Sequence, residues 1–143
     1  MLTQETVQNR IKHFPGTCKA AGLKVTHQRT AVYSMLAATE THPSPEEVYT
    51  AIRESLPSIS LATVYKILDL FHKRGFLRKV STENQVARYD ANVGQHHHMI
   101  CNKCGTIMDV AANGMEASPE VKAQGFVVDH YDIVYYGRCE SCR

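Results

Sequence analysis

Two pairs of cysteines, each with the spacing C-x-x-C, constrain this chain more than any other feature of its sequence. The first pair is Cys101 and Cys104, the second is Cys139 and Cys142, and a fifth cysteine, Cys18, stands apart. Zinc takes four thiolates in a tetrahedron, and each C-x-x-C turn brings two sulfur atoms towards one ion. The pattern therefore predicts that the four paired cysteines form a closed structural zinc site. Two separate redox dithiols are the alternative.

The composition of the chain changes near residue 90. Residues 1–90 contain one cysteine, whereas residues 91–143 contain four cysteines and four of the eight histidines. A length of 143 residues suits one average domain or two small ones. We therefore expect two domains, residues 1–90 and residues 91–143, joined by a short polar stretch.

The first domain has the pattern of consecutive helices. Thr26, Ser44 and Ser60 each precede a segment with helical spacing of apolar residues, and each is a candidate helix N-cap. Ser44 is followed by proline and by a glutamate three residues later, which is typical of a capping box. Near the N-terminus, Pro15 and Gly16 are expected to interrupt the first helix.

The helix that follows Ser60 has the pattern of a DNA-recognition helix. One face carries the apolar residues Leu61, Val64, Leu68 and Phe71, and the other carries Ala62, Thr63, Lys66, Asp69 and Lys73, with Tyr65 at its edge. Two strand candidates, residues 76–80 and 86–89, come next. Helices followed by a hairpin predict a winged helix, whose exposed helix face can enter a major groove. An ordinary solvated face is the alternative, and Asp69 favours it.

The second domain has the pattern of strands around one helix. The strand candidates are residues 96–100, 106–110 and 126–136, and Ser118 opens a short helix that Gly125 ends. The fold class of the whole chain is therefore expected to be α+β.

A run of three histidines precedes the first cysteine pair. Alternate side chains of a strand share a face, so His96 and His98 can chelate one ion while His97 points the other way. A solvated histidine cluster or an adventitious metal-binding tract is the alternative. Further candidate ligands are Asp90, Asp109 and the remote His42. Nothing in the spacing links His42 to the histidine run.

Bulk composition excludes some classes of protein. The charged fraction of 21% is that of a globular chain, and no apolar run approaches the ~20 residues of a membrane helix. The first 12 residues lack the apolar core of a signal peptide, so we expect a cytoplasmic protein without a membrane partner. The formal net charge of +2 does not by itself indicate nucleic acid.

The order of these motifs resembles the ferric uptake regulator (Fur) family over about residues 17–143. The matching text is S-L-A-T-V-Y-K-I-L-D-L-F, G-F-L-R-K-V, A-R-Y-D, H-H-H-M-I-C-N-K-C-G and the final C-x-x-C. The resemblance implies an N-terminal winged-helix DNA-binding domain and a C-terminal α/β dimerisation domain. It also implies a homodimeric repressor, not an enzyme, that binds an inverted-repeat operator in double-stranded DNA.

The resemblance also joins the candidate ligands into sites. Besides structural Zn(II) on the four cysteines, it implies regulatory Fe(II) or Mn(II) on His42, Asp90, His96, His98 and Asp109. Peroxide-responsive members carry aspartate at the position of Asp109, where iron sensors usually carry glutamate. The implied mechanism is iron-catalysed oxidation of His42 or His96, followed by release of operator DNA. The implied DNA contacts come from Ala62, Thr63, Tyr65, Lys66 and Lys73.

Three other functions are consistent with parts of the pattern. Within the same class, the chain would be a Fur-type sensor of iron or manganese level without peroxide sensing. A zinc metalloenzyme could use His96 and His98, but the sequence has no H-E-x-x-H and no glutamate beside these histidines. A metal-storage or chaperone module would need no sequence-specific DNA binding.

Overall fold

Two units make up the chain, Met1–Val93 and Gly94–Arg143. The computed structural model describes residues 3–82, 86–112, 125, 127 and 131–143. The first unit contains four helices and a two-stranded hairpin, and the second contains a three-stranded sheet and a short 3-10 helix. The architecture is α+β, as the sequence predicts.

Helix α1 (Gln4–Ala20) is continuous, and the predicted interruption at Pro15 and Gly16 is wrong. A proline inside a helix removes one hydrogen bond and costs about 3 kcal/mol. Phe14 and Cys18, one helical turn apart, are both buried in the core of the unit. Burial of this apolar face outweighs the local cost of the proline. The helix ends where Gly22, with φ +67°, adopts the left-handed conformation typical of a helix terminus.

Replacing Phe14 with alanine is expected to destabilise the first unit by about 3–5 kcal/mol, because it opens a cavity in an aromatic cluster. Phe14 is 2% exposed, its ring stacks on Tyr33 with centroids 4.2 Å apart, and it meets Phe71 edge-on at 5.6 Å. Urea unfolding followed by circular dichroism measures the loss. Val25→Ala, at an exposed position, is the control. A loss below about 1 kcal/mol for Phe14→Ala would mean that α1 does not pack on the core in solution.

Three further helices follow, α2 (His27–Ala37), α3 (Pro45–Ile52) and α4 (Leu61–Lys73). The three predicted N-caps are confirmed, since the side chains of Thr26, Ser44 and Ser60 each accept a hydrogen bond from a backbone N–H of the first turn. On α4, Val64, Leu68 and Phe71 are fully buried as predicted, whereas Leu61, predicted on the same face, is only half-buried and Ile67 is buried instead. Among the described residues, no helix has the length and apolarity needed to cross a membrane.

The hairpin of the first unit consists of β1 (Arg78–Ser81) and β2 (Ala87–Asp90), which pair antiparallel. Both strands begin one or two residues later than predicted. The reason for β1 is that Phe76 and Leu77 are buried in the core directly after the turn at Gly75. The register places Arg78 opposite Asp90, so the end of β2 lies beside the start of β1.

The second unit is built on a three-stranded sheet. Its strands are β3 (His96–Cys101), β4 (Ile107–Ala111) and β5 (Val134–Gly137), in the order β4-β3-β5. β3 runs antiparallel to β4 and parallel to β5. The helix predicted between residues 118 and 125, and part of the strand predicted over 126–136, lie outside the described residues. In the described part, residues 131–133 are not in a strand, and β5 begins at Val134. The central strand carries the histidine run and ends at the first cysteine.

Candidate metal centres and nucleic-acid interface

Four cysteines of the second unit converge on one point. Cys101 ends β3 and Cys104 lies in the turn after it, while Cys139 precedes the 3-10 helix Glu140–Cys142 and Cys142 is its last residue. Their Sγ atoms all lie within 4.8 Å of one another, and the Sγ atoms of Cys104 and Cys139 are 3.6 Å apart. A regular tetrahedron with Zn–S bonds of about 2.3 Å has edges of about 3.8 Å. The four thiols therefore fit a zinc ion.

Hydrogen bonds shift the pKa values of these thiols in opposite directions. The backbone N–H of Cys139 donates to Cys101 Sγ at 3.3 Å, and such bonds lower the pKa of the Cys101 thiol to about 6. The Thr106 hydroxyl, 3.2 Å from Cys104 Sγ, lowers the pKa of that thiol. The pKa of Cys142 is raised to about 12, chiefly by its hydrogen bond with Cys139. Zinc needs all four as thiolates, so zinc binding releases protons.

A second group of ligand atoms lies further along the same sheet. The pairing of β3 with β4 sets His98 directly opposite Asp109. The Nε2 atoms of His96 and His98 are 3.1 Å apart, and Asp109 Oδ1 lies 3.7 Å and 3.8 Å from them. Both histidines are buried, whereas the Asp109 side chain is 36% exposed. Three donor atoms at these separations can contact one ion.

The tautomer of His96 is set by the backbone. Its Nδ1 lies 2.8 Å from the carbonyl oxygen of Gly94, so Nδ1 carries the proton that is donated. The lone pair is then on Nε2, the atom that points towards His98 and Asp109. His97, as predicted from strand alternation, does not join this group. Its Nδ1 accepts a hydrogen bond from the backbone N–H of Ile133 at 3.3 Å.

In the first unit, His42 and Asp90 form a third group. His42 Nε2 lies 3.8 Å from Asp90 Oδ2, and both side chains are buried. His42 has φ +52°, a left-handed conformation that is strained for a residue with a Cβ. The backbone N–H of Tyr89 donates to the carbonyl of Pro43 at 3.1 Å, which holds the His42 loop against β2. The tertiary structure thus pairs two residues that are 48 positions apart.

The capping box of α3 extends this connection. Glu47 Oε2 accepts a hydrogen bond from the backbone N–H of Ser44 at 2.7 Å and also one from the Arg88 guanidinium. Arg88 lies on β2, two residues before Asp90. The start of α3 and the strand that carries Asp90 are therefore linked at two consecutive residues, Arg88 and Tyr89.

The predicted DNA-contacting residues lie along the outward face of α4. Ala62, Tyr65, Lys66 and Lys73 are exposed and Thr63 is half-buried. The Thr63 hydroxyl lies 2.9 Å from the Ser60 hydroxyl at the helix start. Lys73 Nζ donates to Asp69 Oδ2 at 2.7 Å, a surface pair one turn apart. The Tyr65 hydroxyl donates to Glu46 Oε1 at 2.6 Å.

Sequence reasoning missed three of these contacts. Gly94 sets the tautomer of His96, Thr106 supports Cys104, and Glu46 accepts from Tyr65. The first two partners are only two residues from the group they contact, so local spacing was an available signal. Glu46 and Tyr65 are 19 residues apart on different helices. No sequence pattern indicates that contact.

Comparisons with known proteins agree on one family. A family model described as the ferric uptake regulator family matches residues 20–136. The chain is 29% identical to the peroxide-responsive repressor PerR of Staphylococcus epidermidis over 141 residues, which cover 97% of this chain and 94% of that protein. It is 31% identical to the peroxide operon regulator of Bacillus subtilis over 136 residues, covering 94% of each.

Solved structures of proteins from the same family also match this chain. The ferric uptake regulator Fur of Helicobacter pylori matches with a TM-score of 0.73 and 28% identity, covering 99% of this chain and 97% of that one. The structure of PerR from Streptococcus pyogenes matches with a TM-score of 0.56 and 27% identity, covering 94% and 93%. Both agree with the architecture of a winged-helix unit and an α/β unit.

Proposed function

Because the chain belongs to the ferric uptake regulator family of metal-responsive, dimeric DNA-binding repressors, we propose that it senses peroxide through its regulatory metal ion. Bound Fe(II) or Mn(II) supports repression, and oxidation of a histidine ligand ends it. The observation that carries the proposal is the convergence of His96 and His98 on an aspartate, Asp109. The identities of 29% and 31% to peroxide regulators support it. The protein acts in the cytoplasm.

The regulatory ligands come from both units. We assign His96, His98 and Asp109 in the second unit, and His42 and Asp90 in the first, to one ion. Three imidazoles and two carboxylates suit Fe(II) or Mn(II), which prefer nitrogen and oxygen donors to the thiolates of the zinc site. An ion held by ligands of both domains ties them together. In a homodimer this sets the spacing of two recognition helices against an inverted repeat.

Peroxide acts on this arrangement through the imidazoles. Fe(II), if held by these residues, would supply the electrons that cleave the O–O bond of peroxide, so that one oxygen atom could be added to an imidazole ring and the other would leave as water. Mn(II) would not supply this chemistry. His42 and His96 are the histidines that we expect to be oxidised. An oxidised imidazole has lost the lone pair that binds the ion, so the link between the domains is lost. Operator DNA is then released.

The outward face of α4 contacts the operator. Lys66 and Lys73 neutralise phosphates, and Tyr65, with Ala62 and Thr63 beside it, faces the base edges. A surface ion pair such as Lys73–Asp69 is worth less than about 1 kcal/mol, so Lys73 can exchange it for a phosphate at little cost.

A sensor of iron or manganese level is the second candidate. The observation that favours it is the higher TM-score with the Helicobacter pylori Fur, 0.73, than with the Streptococcus pyogenes PerR, 0.56. Such a sensor would use the same ligands but would release DNA only when the metal concentration falls.

Replacing Asp109 with glutamate distinguishes the two candidates. The operator probe is a duplex selected from a random DNA library by the wild-type protein loaded with Zn(II) and Mn(II). We expect the Fe(II)-loaded wild type to lose most of its binding to this duplex after brief, near-stoichiometric peroxide, because oxidised ligands no longer hold the ion. The longer carboxylate of Asp109→Glu changes the coordination shell, so this variant should keep most of its binding. Fluorescence anisotropy measures both.

Mn(II)-loaded samples of both proteins are the control and should be unaffected by peroxide. Equal peroxide sensitivity of the wild type and Asp109→Glu would mean that Asp109 does not determine peroxide sensing. A wild-type protein that keeps its DNA while iron is bound and peroxide is present would support the metal-level sensor.

A further inference from the structure

The first turn of α3 contacts the outward face of the recognition helix through one hydrogen bond. The Tyr65 hydroxyl of α4 donates to Glu46 Oε1 at 2.6 Å. The Tyr65 side chain is exposed, and Glu46 lies at the surface of α3. At this surface position the hydrogen bond to Glu46 fixes where the Tyr65 hydroxyl lies.

The direction of this hydrogen bond restricts what Tyr65 can recognise. A phenol has one hydrogen to donate, and its oxygen can also accept. Since Glu46 takes that hydrogen, only the oxygen and the ring remain for DNA. Phosphate oxygens are acceptors and need a donor, whereas adenine N6 and cytosine N4 present donors in the major groove and thymine presents a methyl group. The negative charge of Glu46 beside the ring also repels phosphate.

We infer that Glu46 is a positioning residue that determines DNA specificity, because it holds Tyr65 as an acceptor and apolar contact for base edges and away from phosphates. This inference rests on the proposed operator binding. It adds how one residue of that interface, Tyr65, is held in position. Glu46 acts through Tyr65 and needs no contact with DNA itself.

The ionisation of the two groups is consistent with this geometry. The hydrogen bond raises the pKa of the Tyr65 phenol and is the largest cause that lowers the pKa of the Glu46 carboxyl. At neutral pH the tyrosine is therefore the donor and the ionised glutamate the acceptor. The contact is present before DNA arrives.

The neighbouring glutamate has a different role. Glu47 accepts from Ser44 and Arg88 and so links α3 to β2, whereas Glu46 links α3 to α4. Two consecutive side chains of one helical turn thus join the strand that carries Asp90 to the helix that carries Tyr65. A variant at Glu46 leaves both residues of the capping box, Ser44 and Glu47, unchanged.

The test compares binding to two duplexes at one fixed salt concentration. One is selected from a random library by the wild-type protein loaded with Zn(II) and Mn(II), and the other is a scrambled duplex of the same length and composition. Selectivity is the ratio of the two dissociation constants. We expect Glu46→Ala to lower selectivity about tenfold, because the freed hydroxyl can donate to phosphates of any sequence.

Three further variants separate the hydrogen bond from the charge. Glu46→Gln keeps an acceptor oxygen, so its selectivity should stay within about twofold of the wild type although its affinity for both duplexes rises. Glu54→Ala removes an exposed glutamate just after α3 and is the matched charge control. Tyr65→Phe should lower selectivity as Glu46→Ala does. The selectivity of the double variant should be no lower than that of the less selective single variant.

A second measurement does not depend on DNA. Fluorotyrosine placed at position 65 titrates at a lower pH than tyrosine, and its fluorine NMR shift reports the ionisation of that phenol alone. We expect its pKa to be higher in the otherwise wild-type protein than in a protein that also carries Glu46→Gln, since a neutral amide repels the phenolate less than a carboxylate does.

Three results would overturn the inference. One is a selectivity of Glu46→Ala within about twofold of the wild type, and another is additive losses in the double variant. The third is a pKa at position 65 that does not change with Glu46→Gln. A wild-type protein that selects no sequence from the library would overturn the operator proposal as well, whereas these three results would leave it standing.

Discussion

Replacing Cys101 with serine is expected to unfold the second unit. Structural zinc sites supply about 10–16 kcal/mol of folding free energy in small domains, and a whole domain is stable by only about 5–15 kcal/mol. Cys101 is 3% exposed, and its sulfur joins the end of β3 to the chain around Cys139. A serine hydroxyl is not a thiolate, so the remaining three sulfur atoms leave the site open. Proteolysis and urea unfolding, with zinc measured by native mass spectrometry, test this.

Cys18→Ala is the matched control, because Cys18 is a buried cysteine of the first unit and is not among the converging thiols. It should keep one zinc ion per chain and an intact second unit, with a modest loss of stability in the first. The zinc assignment is wrong if Cys101→Ser keeps stoichiometric zinc and resists protease as the wild type does.

Brief, near-stoichiometric peroxide is expected to add one oxygen atom to His42 or His96 in the Fe(II)-loaded protein. Fe(II) held at the proposed site would generate the oxidant beside its histidine ligands, closer to them than to side chains elsewhere in the protein. Peptide mass spectrometry of the digested protein locates the added mass. The expected modification covers most of the iron-loaded chains, because each bound ion acts on its own ligands.

The Mn(II)-loaded protein and His97 are the controls for this experiment. His97 lies between His96 and His98 in sequence, but its Nδ1 faces the backbone of Ile133. It should therefore stay unmodified in the iron sample, and no histidine should be modified in the manganese sample. If all histidines of the iron-loaded protein remained unmodified, the result would support a sensor of metal level instead of a peroxide sensor.

For the zinc site, local spacing predicts which residues are ligands but not how the two cysteine pairs come together. Two C-x-x-C turns predict four sulfur ligands without any knowledge of the fold, and the four sulfur atoms do converge. The 34 residues between Cys104 and Cys139 carry no such information. The parallel pairing of β3 with β5 sets Cys101 opposite Gly137, two residues before Cys139. The register of β3 and β5 therefore brings the first C-x-x-C turn next to the second.

The regulatory ligands show where sequence reasoning stops. Strand alternation alone separates His96 and His98 from His97, because the side chains of a strand point to opposite faces. The pairing of Asp109 with His98 depends on which strand lies beside β3. The pairing of His42 with Asp90 depends on a loop that is held against β2 by Tyr89 and Pro43. Only the family resemblance suggested the latter group in advance.

Helix α1 shows why a local rule can fail. The proline rule predicts a break at Pro15, and the helix continues because Phe14 and Cys18 bury its apolar face on the core. The caps at Thr26, Ser44 and Ser60 were predicted correctly, because each depends on a hydroxyl and an N–H only three residues apart.

The sequence by itself determined what depends on near neighbours: the helix caps, the faces of α4, the alternation of the histidine run and the two cysteine turns. Only the tertiary structure decided what depends on packing between distant segments. It made α1 continuous, set His98 opposite Asp109, and brought Tyr65 to Glu46, 19 residues away. The physical reason is that a hydrogen bond between distant residues forms only after the core has fixed the position of both elements, and no local pattern encodes that position.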